Sequence, residues 1–236
     1  MSRINFLLTL SSLNVLLVTI ERFSFTTQVF LQPFNFLRLH EVFQMLTIIL
    51  ATVIIPFFIL REVTDNFSAL KSTKGVILGT LFITGIYFYA TGNGVHELGS
   101  FAFNTYCETK NVTGNLCGGL FFNDYYFGNI LYFIGAFLMN IVIILFERDH
   151  PQKIPIAGKN LAILITNSVV YAFAIFAYSG FDRVLVGLVY SLISMVVIDV
   201  LLLTARTKPK HLPFTLYAAS TYTLGTLASL LMRLRP

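Results

Sequence analysis

Histidine and acidic residues collect at the ends of the apolar stretches of this sequence rather than inside them. The dipeptide His-Glu occurs twice, as His40–Glu41 before one apolar stretch and as His96–Glu97 after the next, and Asp124 precedes a third. Imidazole and carboxylate groups are common ligands of zinc and iron. If the three stretches converge, these five side chains can surround a divalent metal ion. The pattern therefore predicts a zinc or iron site.

A metal ion at this height would have hydroxyl groups beside it. Metal-bound water attacks ester and amide bonds, and a hydroxyl can donate a hydrogen bond to the oxyanion that develops. Ser100 follows the second His-Glu pair and Tyr125 follows Asp124, so we expect both to act as catalytic hydrogen-bond donors. The first functional hypothesis is a metal-dependent membrane hydrolase or another lipid-modifying enzyme that acts at the level of the headgroups.

The same residues have a simpler interpretation as a solvated boundary. Side chains at helix ends face water and headgroups, where charge costs little, and Asp124 can be the N-cap of its helix. Two separate His-Glu pairs also lack the fixed spacing that makes a motif such as HExxH specific. A boundary without metal is therefore the alternative to the metal site.

The composition requires a membrane around these residues. Of the 236 residues, 56% are hydrophobic and 11% are charged, whereas soluble domains average about 25% charged. Crossing a bilayer takes roughly 20 apolar residues in a helix. The sequence predicts an all-α integral membrane protein, a seven-transmembrane helix bundle that forms a single polytopic domain. Its predicted spans are about 4–20, 42–60, 75–95, 125–146, 160–181, 184–204 and 212–232.

The basic residues indicate an orientation. With seven spans, ten of the sixteen Lys and Arg residues lie on the face of the N-terminus. Because short cytoplasmic loops carry the excess of Lys and Arg, this favours an N-terminus inside and a C-terminus outside. The net charge of +5 is then a signal of topology, and nucleic acid is not an expected partner. The expected partners are membrane lipids and, if the chain belongs to an assembly, other membrane subunits.

Two segments between the spans are predicted to lie on the outer side. Residues 22–39 are aromatic and too short to cross, which is typical of an interfacial or re-entrant segment. Residues 98–123 form a predicted outer loop with the only two cysteines, Cys107 and Cys117, whose spacing predicts a disulfide. Between them Asn111 begins a sequon, which would carry a glycan only in a host that glycosylates asparagine.

The third predicted span combines polar residues and glycines at its outer end. Polar residues recur at intervals of three and four from Asn93 to Asn104, which places them on one face if the helix continues beyond the bilayer. Small residues let a neighbouring helix approach closely. We therefore expect a close helix contact at Gly92, Gly94 and Gly99.

Asp199 is the acidic residue inside a predicted span. An isolated carboxylate at membrane depth tends to be protonated or paired. One interpretation is a role in proton or cation coupling. The other is an ion pair with Arg206, or with Lys208 reaching back along the helix.

The order of His96 at the end of one span and Asp124 at the start of the next resembles that in the seven-helix alkaline ceramidase and progestin/adiponectin-receptor superfamily. Those proteins also use an HxxxH pair in the last helix, where this sequence has no histidine. The resemblance implies metal-dependent hydrolysis with the missing ligands supplied by His40 and Glu41. The second hypothesis is non-enzymatic: a transporter, a receptor or a structural subunit, favoured by the scarcity of ionisable residues within the spans.

Overall fold

The computed structural model describes residues 2–235, and within that range the regular structure is helical, with no β-strand. Seven long helices account for most of it. They are α1 (Arg3–Glu21), α2 (Leu39–Val63), α3 (Thr73–Tyr106), α4 (Asn115–Asp149), α5 (Gly158–Phe181), α6 (Val186–Leu203) and α7 (Pro213–Arg233). Six of them, α1 to α6, are long and apolar enough to cross a membrane. The chain is therefore a helical bundle of the kind expected for a multi-pass membrane protein.

Helix α7 has the length of a span but a more polar composition. Its 21 residues pack against α5 and α6, and its polar side chains face those helices rather than the surroundings. Thr215, Thr221, Thr226 and Ser229 are all at most 1% exposed. The Thr221 hydroxyl donates to the main-chain carbonyl of Ser168 on α5. Polar groups that are paired within the bundle lower the hydropathy of a helix without exposing it to lipid.

Glycines join α3 and α4 along their length. Gly85, Gly92 and Gly99 on α3 face Gly128 and Gly135 on α4. A Cβ atom at Gly92 would lie 2.2 Å from the backbone nitrogen of Tyr132, and one at Gly135 would lie 2.3 Å from that of Tyr89. The backbones touch because both helices lack side chains there. The expected contact at Gly92 and Gly99 is confirmed, whereas Gly94 faces open space.

The predicted outer loop over residues 98–123 is mostly helical. Helix α3 continues to Tyr106 and α4 begins at Asn115, so the connection is only the segment 107–114. Cys107 and Cys117 form a disulfide across it, as their spacing predicts. The predicted loop 98–123 is therefore corrected to 107–114, because the glycine contacts extend the pairing of α3 and α4 past the apolar stretch. We call this end of the bundle the disulfide end, and the opposite one the Glu147 end.

Two helices widen into a π-helical turn near the disulfide end. One π segment is Gln44–Ile48 within α2, and the other is Asn123–Gly128 within α4. A π segment accommodates an extra residue in a helix, and such segments are found often at functional sites. Here they turn Gln44 and Asp124 toward the bundle, since both are buried.

The segment between α1 and α2 folds back on itself. After a short 3₁₀ helix at Phe25–Gln28, the chain makes a narrow antiparallel turn in which Phe30 pairs with Arg38. The Leu39 amide donates to the carbonyl of Val29 at 2.8 Å. Phe23 and Phe34 are more than 80% exposed on this segment. Its place at an interface or as a re-entrant piece stays a prediction.

Candidate functional site

His96 and Asp124 are in direct contact at the disulfide end. The His96 Nδ1 atom lies 2.8 Å from Asp124 Oδ1 and 3.0 Å from the Asp124 carbonyl oxygen. The glycine contacts set this distance, because a Cβ atom at Gly128 would lie 2.7 Å from the His96 backbone nitrogen. Asp124 is 2% exposed and lies inside a continuous helix. It is therefore neither an N-cap nor a solvated boundary residue, which corrects both expectations.

A second pair joins α1 to α2. The His40 Nδ1 atom lies 2.6 Å from Glu21 Oε2, and the Gln44 side-chain amide donates to the same oxygen at 2.7 Å. The Thr26 hydroxyl donates to the other oxygen of Glu21. The π segment of α2 brings Gln44 into this contact. Glu21 is the last residue of α1, so this pair fixes how α1 and α2 meet at the disulfide end.

Arg38 and Glu41 form a third pair. The Arg38 Nε atom donates to Glu41 Oε1 at 2.8 Å, and the Arg38 backbone amide donates to Oε2 at 2.9 Å. Glu41 is 1% exposed. The guanidinium carbon of Arg38 also lies 5.7 Å from the centre of the Phe101 ring on α3, a cation–π distance. Glu41 is thus bound within the segment that starts α2.

Glu97 lies between the three pairs without joining one. It is 5% exposed and accepts no hydrogen bond from any residue in the range 2–235. The nearby charges that act on it are those of His96, Arg22, His40 and Glu41. One turn earlier on α3, the side-chain nitrogen of Asn93 has no partner among the described residues. Glu97 is therefore the buried acid of this end that is least satisfied.

These groups form what we call the carboxylate cluster. Four of its members are carboxylates of at most 5% exposure, namely Glu21, Glu41, Glu97 and Asp124. Its other members are the imidazoles of His40 and His96 and the guanidinium groups of Arg22 and Arg38. With neutral imidazoles the cluster carries two more negative than positive charges. Buried charge of one sign is costly, so the cluster favours two protons or one divalent cation.

The five predicted metal ligands do not form a single ligand group. Four of them are divided among the three pairs described above and Glu97 joins none, so that His96 and Asp124 are the one ion pair within this set. In the part of the chain that the structure describes, no group of three or more His, Cys, Asp and Glu side chains is arranged to hold a metal ion. Zinc or iron at His40, Glu41, His96, Glu97 and Asp124 stays a prediction.

The two predicted catalytic donors have other contacts. The Ser100 hydroxyl accepts a hydrogen bond at 3.2 Å from Asn104 on the same helix. The Tyr125 ring packs against Phe121 with a centroid distance of 4.7 Å, and the guanidinium of Arg183 lies 5.4 Å from it. Neither residue donates a hydrogen bond to the carboxylate cluster within residues 2–235. Their catalytic role stays a prediction without a contact to support it.

Asp199 is held by a hydroxyl rather than by a basic residue. The Thr223 hydroxyl of α7 donates to Asp199 Oδ2 at 2.9 Å. Arg206 and Lys208 lie beyond Leu203, where α6 ends, and both are exposed. Within the described residues, the alternative of an ion pair between Asp199 and Arg206 or Lys208 is therefore wrong. A neutral hydroxyl partner leaves the proton or cation hypothesis for Asp199 as a prediction.

Glu147 lies one residue past the predicted span 125–146, yet it is buried. It is 1% exposed at the end of α4, and it accepts hydrogen bonds from the Phe214 and Thr215 amides at 2.8 and 2.7 Å and from the Thr215 hydroxyl at 2.7 Å. It therefore caps the N-terminus of α7 from another helix. The available signal was that Leu212, before Pro213, has no side chain able to cap the helix.

Asn111, the first residue of the sequon, lies between the two cysteines, and its side chain is exposed in the connection 107–114. Its glycosylation stays a prediction that depends on the host.

The resemblance to the alkaline ceramidase and progestin/adiponectin-receptor superfamily rests on His96 and Asp124. Comparison of the chain with models of protein families, with curated proteins and with solved structures gave no match.

Proposed function

We propose that the chain spans the membrane seven times, with the Glu147 end inside and the disulfide end outside. The distribution of Lys and Arg supports this orientation, and a disulfide is typical of an oxidising compartment. The seventh span is α7, whose 21 residues match the length of its neighbours. The burial of its polar side chains against α5 and α6 accounts for its low hydropathy.

Within this topology we propose a transporter that moves protons, which is one of the non-enzymatic alternatives. The observation that carries the proposal is the excess of buried carboxylate charge in the carboxylate cluster. A group of acids that is neutral only after it takes up protons or a cation responds to the ionic composition outside. In membrane proteins, ionisable residues that face the bundle interior commonly mark proton and ion pathways.

Polar groups continue from the carboxylate cluster into the bundle. Tyr132 packs against α3 at Gly92, five residues before Glu97, and its hydroxyl is 3.0 Å from that of Tyr89. Further toward the Glu147 end, the Asn140 side-chain amide donates to the Tyr222 hydroxyl at 3.3 Å. The next residue of α7, Thr223, donates to Asp199 on α6. An interior of hydroxyl and amide groups supports transport better than a lipid-facing reaction centre.

The test is proton flux into liposomes. The purified protein is reconstituted into liposomes that contain a pH-sensitive dye, and a potassium diffusion potential drives protons inward. We expect influx faster than that of empty liposomes, and loss of the excess in Glu97→Gln. Glu108→Gln changes an exposed acid of the same end and should keep the flux. Equal influx for wild type, Glu97→Gln and empty liposomes would overturn the proposal.

Metal analysis separates this proposal from the metal-dependent hydrolase. The metal content of the purified protein is measured by mass spectrometry, for wild type and for His96→Ala combined with Asp124→Ala. We expect no stoichiometric zinc or iron in either. One metal ion per chain that disappears in the double variant would replace the transporter with the hydrolase hypothesis, because only that hypothesis requires a resident metal at these residues.

A further inference from the structure

A small cavity lies in the middle of the bundle, away from the carboxylate cluster. It has a volume of about 70 Å³ and is lined by side chains of α1, α2, α3, α4 and α5. Its lining is mixed: apolar atoms form much of the wall, and six of the ten lining residues carry hydrogen-bonding groups. The hydrogen-bonding side chains in it are Ser11, Asn14, Thr52, Tyr89, Asn140 and Tyr171. In the described chain no carboxylate, ammonium, guanidinium or imidazole group lines it, so a charged ligand would find no opposite charge.

One polar group on the cavity wall lacks a partner. Asn14 is 7% exposed, and its side-chain nitrogen donates no hydrogen bond to any of residues 2–235. Buried amide groups are nearly always hydrogen-bonded, because leaving a donor unpaired away from water is unfavourable. An acceptor placed in the cavity would satisfy the Asn14 side chain.

A second group without its usual partner is a backbone carbonyl, which results from Pro56 inside α2. Proline has no backbone N–H, so the carbonyl of Thr52, four residues earlier, loses its usual donor within the helix. Thr52 and Pro56 both line the cavity. The wall therefore presents a donor at Asn14 and an acceptor at Thr52, on two different helices that flank the same space.

We propose that this cavity is a hydration site that holds ordered water. Water is neutral, accepts from an amide and donates to a carbonyl, as the wall requires. The volume of 70 Å³ exceeds the roughly 10–15 Å³ of accessible space that one water molecule needs. Polar cavities of this size are filled by water, whereas cavities that stay empty are apolar. The inference is independent of the proposed transport function.

Met139 offers a probe, because it lines the cavity and is only 4% exposed. Ionising radiation splits water into hydroxyl radicals. A hydroxyl radical adds to the methionine sulfur, and dissolved O₂ then takes the remaining hydrogen and leaves as HO₂, so that a sulfoxide with the water-derived oxygen remains. A buried methionine is labelled when water lies beside it. The protein is irradiated in detergent in H₂¹⁸O, and ¹⁸O in each methionine peptide is measured by mass spectrometry. We expect labelling of Met139 in the wild type.

Two variants test the source of the label. Asn14→Leu keeps the volume but removes the unpaired donor, and Thr52→Val removes a hydroxyl from the other side of the cavity. We expect Met139 labelling to fall to the background level in Asn14→Leu and to decrease in Thr52→Val. Thr80→Val makes the same change at an exposed position of α3 and should leave the label unchanged.

The proposal is overturned if Met139 takes up no ¹⁸O in the wild type, a result that needs no variant to fold. It is also overturned if folded Asn14→Leu is labelled as strongly as wild type. A thermal unfolding curve for each variant establishes folding. Loss of flux in Glu97→Gln with normal Met139 labelling would leave the hydration site in place, so the two proposals fail separately.

Discussion

The two ends of the bundle differ in how one buried carboxylate is held. At the Glu147 end, the acid receives three hydrogen bonds from the start of α7. At the disulfide end, Glu21, Glu41 and Asp124 have partners, whereas Glu97, at 5% exposure, receives no hydrogen bond from the described residues. A fully bonded carboxylate stabilises the fold, whereas an unbonded one gives up stability for another property. In the proposed function, that property is the response of Glu97 to ions.

The largest expected effect comes from removing the hydrogen bonds of Glu147. Glu147→Gln places an amide N–H₂ group beside the backbone amides that the carboxylate now accepts from. We expect a loss of about 3 kcal/mol in the free energy of unfolding, since buried donors are left unpaired. Thermal unfolding in detergent measures it. Glu62→Gln, in a surface pair with Arg3 at 3.8 Å, should change stability by less than about 0.5 kcal/mol. Equal losses would mean that the cap contributes little.

The second effect concerns how the disulfide end is held together. Gly92→Ala puts a methyl group 2.2 Å from the Tyr132 backbone nitrogen, so the two helices must separate. We expect a loss of about 2 kcal/mol from overpacking. Gly94→Ala, two residues on, meets open space and should be neutral or stabilising by up to about 1 kcal/mol, because alanine is the better helix former. A loss in Gly94→Ala as large as in Gly92→Ala would contradict the close contact.

The third effect should have the opposite sign to the first. Glu97→Gln removes a buried charge that no described residue hydrogen-bonds, and we expect the unfolding free energy to rise by about 1 kcal/mol at neutral pH. The same measurement on Glu147→Gln provides the comparison. If Glu97→Gln destabilises the protein as much as Glu147→Gln does, the two ends bury their acids in the same way and the contrast fails.

The smallest effect depends on pH. Burial raises the pKa of the Asp182 carboxyl, which follows α5 at the disulfide end. A raised folded-state pKa means that its stabilising contribution is complete below the unfolded pKa and is lost as the pH rises through the folded value. Asp182→Asn should therefore match wild type near pH of about 4 and exceed it near pH of about 7. Partial exposure limits the gain to about 0.5 kcal/mol. Glu108→Gln, which is exposed, should show no such trend.

Much of the fold follows from the sequence, because long apolar stretches leave few alternatives. Helices α1 to α6 lie where the hydropathy pattern predicts them, and the cysteine spacing predicts the disulfide. The continuation of α3 to Tyr106 was harder to predict, since Gly92, Gly94 and Gly99 read equally well as loop residues. Only the matching glycines on α4, brought opposite by folding, make that segment a helix contact.

The sequence predicts where the site lies but not which side chains pair with each other. Acids and histidines at helix ends indicate one end of the bundle, and His96 does contact Asp124. The partners of the remaining acids depend on the π segments and on the folded turn before α2, which have no local sequence signal. Arg38 takes Glu41 because the turn fixes both within one short segment. For Glu147 the one signal was the missing cap at Leu212, and it does not identify the partner, since the helix that Glu147 caps begins more than 60 residues later.

The capping of α7 by Glu147 has a consequence for how the protein is made. A helix as polar as α7 partitions poorly into lipid by itself, and its first turn has unpaired amides that lipid cannot satisfy. Because α4 and α5 are synthesised before α7, both the Glu147 carboxylate and the α5 surface that packs against α7 are present when α7 leaves the ribosome. In the proposed seven-span topology, insertion of α7 is then a docking step onto an assembled partner. Ribosome-bound chains with Glu147→Gln should show α7 still accessible to water at lengths where the wild-type helix has already integrated.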